Sequence, residues 1–433
     1  MQEHTNQQNQ EVGMAVKITA KDRKRFLDAA LKAADWYINS QLKLKWSWDG
    51  NNGRFLYYYF MPEKKWVPGI NWTHGRALFV LTDAYNITHD ERYLKAAETG
   101  AYYIRALQPL DPYYRVTYGA IAERIPQENW AGMLDGAQAA SGLLMLYRIT
   151  GNPDYLRRGQ AFCDFLVRHW RRDVGLPCWC TFVPETITYP GEPVDCIHQA
   201  TAIPLWHAYN ITGEGRYVEI IVDCANRVLA CQRDDGGLNA IADIRALPAL
   251  PPNHHWGIGE GDDRYLLRND DGVVVVVLAA YKLTGNKRYL DAMVRYADWI
   301  VANEPHERPY NAFGIQAANV LDIGKMAGKD YTEWVLDNVE QHCLSKQALG
   351  TGDPMAEGGF RGEDEEGNAG IFGGHALDYV PNRNTCYMAG LLFRLSGRGT
   401  GTGFSVFGLG IDLHRYERKV NDNVAPSRKK SGA

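Results

Sequence analysis

One phrase recurs along this chain and constrains its fold more than any other feature. It reads Tyr85-Asn86-Ile87-Thr88, Tyr147-Arg148-Ile149-Thr150-Gly151, Tyr209-Asn210-Ile211-Thr212-Gly213 and Tyr281-Lys282-Leu283-Thr284-Gly285. Each copy is followed about five residues later by a second tyrosine, at Tyr93, Tyr155, Tyr217 and Tyr289, and the period is roughly 60 to 75 residues. Glycine after an apolar periodic segment is a left-handed helix stop, and the short polar turn behind it reverses the chain into an antiparallel partner. Two degenerate copies, Ile323-Gly324-Lys325-Met326-Ala327-Gly328 and Phe393-Arg394-Leu395-Ser396-Gly397, extend the series.

Six apolar helices are predicted, at 72–87, 132–149, 196–211, 270–283, 312–326 and 384–395. Between them fall amphipathic ones at 20–42, 91–107, 154–172, 215–231, 287–303 and 329–347. A helix that is apolar all round belongs inside, and one with a polar face such as Asp291, Arg295 and Asp298 belongs outside. The run Val273 to Leu278 alone also suits a buried strand, but its Tyr-Lys-Leu-Thr-Gly ending and its place in the repeat favour helix. The expected fold is therefore all-α, a single-domain (α/α)6 toroid. A polar N-terminal segment at 1–19, the toroid at 20–397, and a closing segment and tail at 398–433 complete the organisation.

Composition narrows the function. Hydrophobic residues at 45% and charged residues at 23% supply a large core, and a net charge of −4 without a Lys/Arg run in the body of the chain excludes the footprint of nucleic acid. The longest apolar run, Val273 to Ala280, is far short of the ~20 residues of a spanning helix, so no membrane partner is expected. Met1 to Gly13 lacks the pattern of a secretory leader, which leads us to expect a cytoplasmic protein, or a periplasmic or secreted one if a leader has been removed. The eight cysteines read as buried free thiols, and no cofactor or metal is expected. Oligomeric state is not legible.

Parallel inner helices bring their N-termini, and the long loops before them, to one end of the ring. Those loops are rich in aromatic rings such as Trp46, Trp48, Tyr57, Tyr58, Tyr59, Trp66, Trp72, Trp130, Trp179 and Trp256, which suit sugar faces while about half serve packing. Candidate substrate-binding residues at this mouth are Trp72, His74, Arg76, Trp130, Asp135, Gln138, Trp256, Asp270, Arg308 and Arg383. Asp135, Asp270 and Asn384 are equally well placed to cap helices. The segment Asn253 to Asp271 concentrates histidine, arginine and tyrosine. Elimination from a uronate glycan needs a group to neutralise the carboxylate, a base for the C5 proton and an acid for the leaving O4. Candidate catalytic residues are His198, Asn253, His255, Arg264, Tyr265 and Tyr310. A second arrangement centres on Asp135 beside Trp130, with Glu123, Arg124 and Glu128 upstream, and suits glycoside hydrolysis with a further carboxylate from Asp195, Asp270 or Asp271.

The stretch Asp135-x-x-Gln138, Leu143-Leu144, Leu146-Tyr147, Thr150-Gly151, Tyr155-Leu156 resembles the inner-helix phrases of carbohydrate-active toroid enzymes, and the resemblance spans about 20 to 397. One branch is similar to toroid polysaccharide lyases acting on glucuronan or alginate, lyase family 38 being the nearest likeness. It implies counterparts in Tyr265 or Tyr310, His198 or His255, Arg264 and Asn253. The other resembles the unsaturated glucuronyl hydrolases, in which an aspartate opening an inner helix is the acid/base. Asp135 matches that position and Trp72-Thr73-His74-Gly75-Arg76 loosely matches their Trp-x-Arg-Gly pattern, with His in place of Arg. The expected function is β-elimination on an acidic polysaccharide or oligosaccharide, the alternatives being a hydrolase of the glucuronyl type and a carbohydrate-binding scaffold. Gln232-Arg233-Asp234-Asp235-Gly236-Gly237 resembles a terpene-cyclase loop, but it occurs once and a simple turn explains it.

Overall fold

Each repeat phrase ends a helix by one local device. The threonine hydroxyl donates back to the carbonyl four residues earlier, from Thr88 to Ala84, Thr150 to Leu146, Thr212 to Ala208 and Thr284 to Ala280, at 2.7 to 2.8 Å. The next residue turns left-handed, at φ 69°, 72° and 66° for Gly151, Gly213 and Gly285, and its N–H closes on the carbonyl of the phrase tyrosine. In the first copy His89 takes that place at φ 57°, a conformation that costs a side-chain-bearing residue more than it costs glycine. Asp90, Asn152 and Asn286 then accept from the backbone N–H two residues on and start the following helix.

The structure is a computed structural model, and it describes residues 17–43, 52–124, 130–172, 179–181, 186–188, 196–240, 266–267, 270, 272–305, 312–362, 372–398 and 403–407. Twelve helices stand among them. The inner set is α2 (Asn71–Thr88), α4 (Met133–Thr150), α6 (Ile203–Thr212), α8 (Val273–Thr284), α10 (Phe313–Ala327) and α12 (Asn382–Ser396). The outer set is α1 (Ala20–Ser40), α3 (Glu91–Leu107), α5 (Pro153–His169), α7 (Val218–Ala230), α9 (Lys287–Asn303) and α11 (Thr332–His342). Each inner helix packs on the next, and α12 packs back on α2, so the ring closes as an (α/α)6 toroid. The valine run is helical and sealed in the core.

The third inner helix departs from the pattern. It begins as a 3-10 turn, Ile197–Ala202, before α6, because Pro204 lacks an N–H and its ring excludes a regular bond to residue 200. The two inner helices α2 and α4 cross closely at Gly75 and Gly142. A Cβ on Gly75 would collide with the backbone carbonyl of Gln138, so only glycine permits this approach.

The outer ring is latched by the second tyrosine of the repeat. Tyr93 donates to Asp35 at 3.1 Å, Tyr217 to Asp164 at 3.1 Å, Tyr289 to Asn226 at 2.8 Å and Tyr331 to Asp298 at 2.8 Å, each reaching the preceding outer helix. These rings are buried while their hydroxyls meet a polar partner, which removes the cost of burying the phenol oxygen.

Two short sheets lie in the segments that lead into inner helices, and the helical periodicity gave no hint of them. One has the order β2-β1-β6, from β1 (Leu56–Phe60), β2 (Lys65–Pro68) and β6 (Tyr379–Pro381), and the other β3-β4-β5, from β3 (Trp130–Ala131), β4 (Trp179–Thr181) and β5 (Thr186–Thr188). Tyr58 packs with Phe60 and Tyr379, and Tyr59 is buried with its hydroxyl on Asp353 at 2.6 Å. Both rings therefore belong to packing.

The closing segment enters the base of the ring. Phe404 meets Phe79 and Tyr387 at 5.2 and 5.7 Å between centroids, Trp206 donates to the Val406 carbonyl at 3.2 Å, and His207 Nε2 bonds the Gly403 carbonyl at 2.9 Å. Ser405 donates to Asp322 at 2.8 Å, and Asp322 pairs with Arg394 at 3.0 Å. Residues from α2, α6, α10 and α12 thus hold 403–407 in the axial channel, which is closed at this end. The Gln232 loop is a turn: its amide donates to the Gly236 carbonyl at 3.1 Å and to Ala292 at 2.7 Å, fastening the end of α7 to α9. Six described cysteines are buried free thiols. Among the described residues no helix is long and apolar enough to cross a membrane.

Candidate functional site

The mouth of the toroid is built from the first turns of the inner helices, and the described part centres on α2, α4 and α12. Trp72 and Arg76 lie one turn apart on α2 and stack: the Arg76 guanidinium sits 4.3 Å from the Trp72 ring and 4.9 Å from that of Tyr387. Arg76 Nε donates to Gln138 Oε1 at 2.7 Å, tying α2 to α4 just where Gly75 lets them approach. Arg383, at the start of α12 and 8% exposed, places its guanidinium over the Trp72 ring as well, 5.6 Å from its centroid. Tyr57 meets Trp72 edge-on at 5.1 Å. Four of the residues read from the sequence, Trp72, Arg76, Gln138 and Arg383, therefore form one cluster, and Tyr387 is a member that an apolar helix pattern conceals.

Beside it stand two carboxylates. The backbone of Glu123 accepts from Asn71 N–H at the start of α2 at 3.0 Å, and its own N–H donates to the Trp130 carbonyl at 3.1 Å. Glu123 is thereby wedged between the entrances of α2 and α4. Its Oε1 lies 2.8 Å, and Asp135 Oδ2 3.3 Å, from the point where a Cβ on Gly132 would sit, so the two oxygens are no farther apart than those distances combined. Trp130 Cζ3 lies 2.9 Å from the same point. Gly132 is the N-cap of α4 and offers no side-chain bond, so Asp135 stands in the first turn rather than in the capping position. Glu123 is 2% exposed, Asp135 half-buried, and Trp130 36% exposed, grading from core to solvent.

Other candidates have different settings. His74 is fully buried: Nδ1 faces the Gly100 carbonyl at 3.0 Å and Nε2 accepts from Phe55 N–H at 3.3 Å, which leaves neither nitrogen for a sugar. Burial, helped by nearby Arg54, lowers its pKa to about 3, so the ring is neutral. Asp270 has no exposed surface and accepts from Asn319 at 2.8 and 2.9 Å, Tyr296 at 3.0 Å and Gly272 N–H at 2.9 Å. It knots the entrance of α8 to α9 and α10. His198 is half-buried on the 3-10 turn before α6. Asn384 lies in the first turn of α12 and is buried. Asn253, His255, Trp256, Arg264, Tyr265, Arg308 and Tyr310, together with Asp195 and Asp271, lie outside the described residues.

The class defined by these elements is the (α/α)6 toroid. No protein-family model matches the sequence, and no curated protein is similar to it. Solved structures are. An unsaturated glucuronyl hydrolase from Bacillus sp. GL1, responsible for the degradation of glycosaminoglycan, superposes with a TM-score of 0.61 at 18% identity, covering 88% of this chain and 100% of that one. A family 76 glycoside hydrolase from a bovine Bacteroides thetaiotaomicron strain gives 0.59 at 16% identity, covering 86% and 77%. A D-mannose isomerase gives 0.58 at 12% identity, covering 89% and 100%. At these identities the likeness is one of fold.

Proposed function

We propose that the protein is a glycan-processing hydrolase acting on an acidic sugar at the mouth of the ring, with Asp135 as its acid/base. The observation that carries this reading is the Asp135–Glu123 pair at Gly132, beside the exposed indole of Trp130. Acid and base carboxylates that straddle a water in inverting glycosidases stand about 6.5 to 9.5 Å apart. The limit set at Gly132 is shorter than that spacing, so Glu123 and Asp135 do not stand as the two groups of an inverting pair across a substrate water. Asp135, half-buried in the first turn of α4 and beside the exposed Trp130 ring, is placed to pass a proton to a sugar bound at the mouth. Glu123, almost sealed, is then a positioning residue. Arg383 on the face of Trp72 supplies a fixed cation for a uronate carboxylate, and Trp130 a flat face for the ring.

The solved structures named above support the reading, since two of the three are described as glycoside-cleaving enzymes on the same architecture. β-Elimination is the competing reading, with His198 as its one candidate catalytic residue inside the described residues. A single measurement separates them. Incubated with unsaturated uronyl oligosaccharides, the protein is expected to lower the ultraviolet absorbance of the C4–C5 double bond, and Asp135→Asn to abolish that change with the fold intact by circular dichroism. A rise in that absorbance on glucuronan or alginate, surviving Asp135→Asn, makes the protein a lyase and overturns the proposal. No change on any of these glycans leaves a binding scaffold.

A further inference from the structure

The repeat phrase carries one more regularity. The residue after its tyrosine, or after Gly324 and Phe393 in the two degenerate copies, is Asn86, Arg148, Asn210, Lys282, Lys325 and Arg394, four cations and two amides in equivalent last-turn positions. They gather at the closed end of the ring, opposite the mouth, around the segment 403–407. Lys282 and Lys325 both lie over the ring of Phe407, at 5.5 and 4.1 Å. Burial, and then the charge of Lys325, pull the pKa of Lys282 down.

A cavity of about 450 Å³ opens here, lined by Arg23, Lys325, Arg394, Arg398 and Phe407, with Asp322 its one carboxylate. Asp322 is spent on Arg394 and Ser405. Among the described residues no ion pair engages Arg23, Lys325 or Arg398. Cations in the last turn of a helix complement its dipole, and that alone accounts for Lys325 and Arg394. It does not account for Arg23, close to the N-terminus of α1, or for Arg398, which lies beyond α12. Their convergence on one cavity calls for a ligand.

We propose that this cavity binds a compact polyvalent oxyanion, a phosphate- or sulfate-bearing small molecule, between Arg23, Lys325 and Arg398 over Phe407. The volume lies within the range of ordinary small-molecule sites, about 300 to 1,000 Å³. The site is at the far end of the ring from Asp135, so it stands or falls separately from the hydrolase reading.

Titration calorimetry of the full chain with sodium pyrophosphate, and in parallel with sodium sulfate, at low ionic strength tests it. Saturable binding of at least one of the two anions is expected. Lys325→Gln and Arg398→Gln should each weaken it about tenfold, as loss of a charge-assisted contact does, while Asp135→Asn leaves it unchanged. The tighter of the two anions names the oxyanion. Absence of saturable heat with both overturns the proposal, as does binding indifferent to Lys325→Gln and Arg398→Gln. Binding lost in Asp135→Asn instead moves the anion to the mouth and overturns it equally.

Discussion

Two buried histidines make the toroid sensitive to mild acid. His74 and His207 have 0% and 1% of their surface exposed, and both are neutral, with pKa values lowered to about 3 and about 4, chiefly by burial. In the unfolded chain each titrates near ~6.5. A folded pKa below the unfolded one means that protons bind the unfolded chain first as the pH falls. The stability held by each ring is thus complete above about pH 6.5 and is lost progressively on the way down to its folded pKa. Between about pH 7 and about pH 5 each histidine forfeits roughly 2 kcal/mol, at about 1.36 kcal/mol per pH unit over some 1.5 units. Together they forfeit about 4 kcal/mol, a large share of the ~5 to 15 kcal/mol typical of a folded protein. His74→Asn keeps the donor to Gly100, and His207→Gln the donor to Gly403, while neither titrates. At about pH 7 the pair of substitutions costs about 1 kcal/mol per altered bond. Urea unfolding followed by tryptophan fluorescence at both pH values should show the wild type losing about 4 kcal/mol more than the double variant. Parallel losses in the two proteins would refute the assignment of the acid sensitivity to these rings.

The other expectations concern packing and the latch. Gly75→Ala forces α2 and α4 apart at the Gln138 carbonyl, and should cost about 1 to 3 kcal/mol and lower the thermal midpoint, whereas Gly285→Ala, whose Cβ meets nothing within 4 Å, should cost only its left-handed backbone strain, about 1 to 2 kcal/mol. Tyr289→Phe removes the 2.8 Å bond to Asn226 and should destabilise by about 1 kcal/mol in chemical denaturation, with Tyr331→Phe behaving alike at Asp298. Equal midpoints for Tyr289→Phe and wild type would show that the latch adds nothing to the outer ring.

The architecture was legible because one local signal served twice. The Thr-Gly corner fixes where a helix ends, and its repetition fixes how the next one returns, so the six inner helices are readable to within a few residues, the third excepted where Pro204 breaks the start. The sheets were not legible: β3 has two residues and β4, β5 and β6 three each, too few for an alternating pattern to emerge, and the longer β1, Leu-Tyr-Tyr-Tyr-Phe, carries no polar residue to alternate with its apolar ones. At the mouth, charged residues heading apolar helices led to Trp72, Arg76, Gln138, Asp135 and Arg383, which the fold brings to neighbouring helix starts. His74 and Asp270 carry the same signal for another reason, since each is consumed by bonds within the wall. Nothing in a sequence distinguishes a histidine that meets solvent from one whose two nitrogens both meet backbone. Glu123 matters through a loop that returns it to Gly132, and that return is a tertiary event.

The segment 403–407 has a consequence for how the molecule comes to be. Its contact from Trp206 to Val406 joins residues 200 apart in the chain, and that from Phe404 to Phe79 reaches farther still. In synthesis from the N-terminus onward, the stopper of the bore arrives after every wall has been laid. Until then Phe79, Trp206 and Tyr387 line an open apolar tube, and the unfinished barrel is the stage at which wrong partners have most to gain.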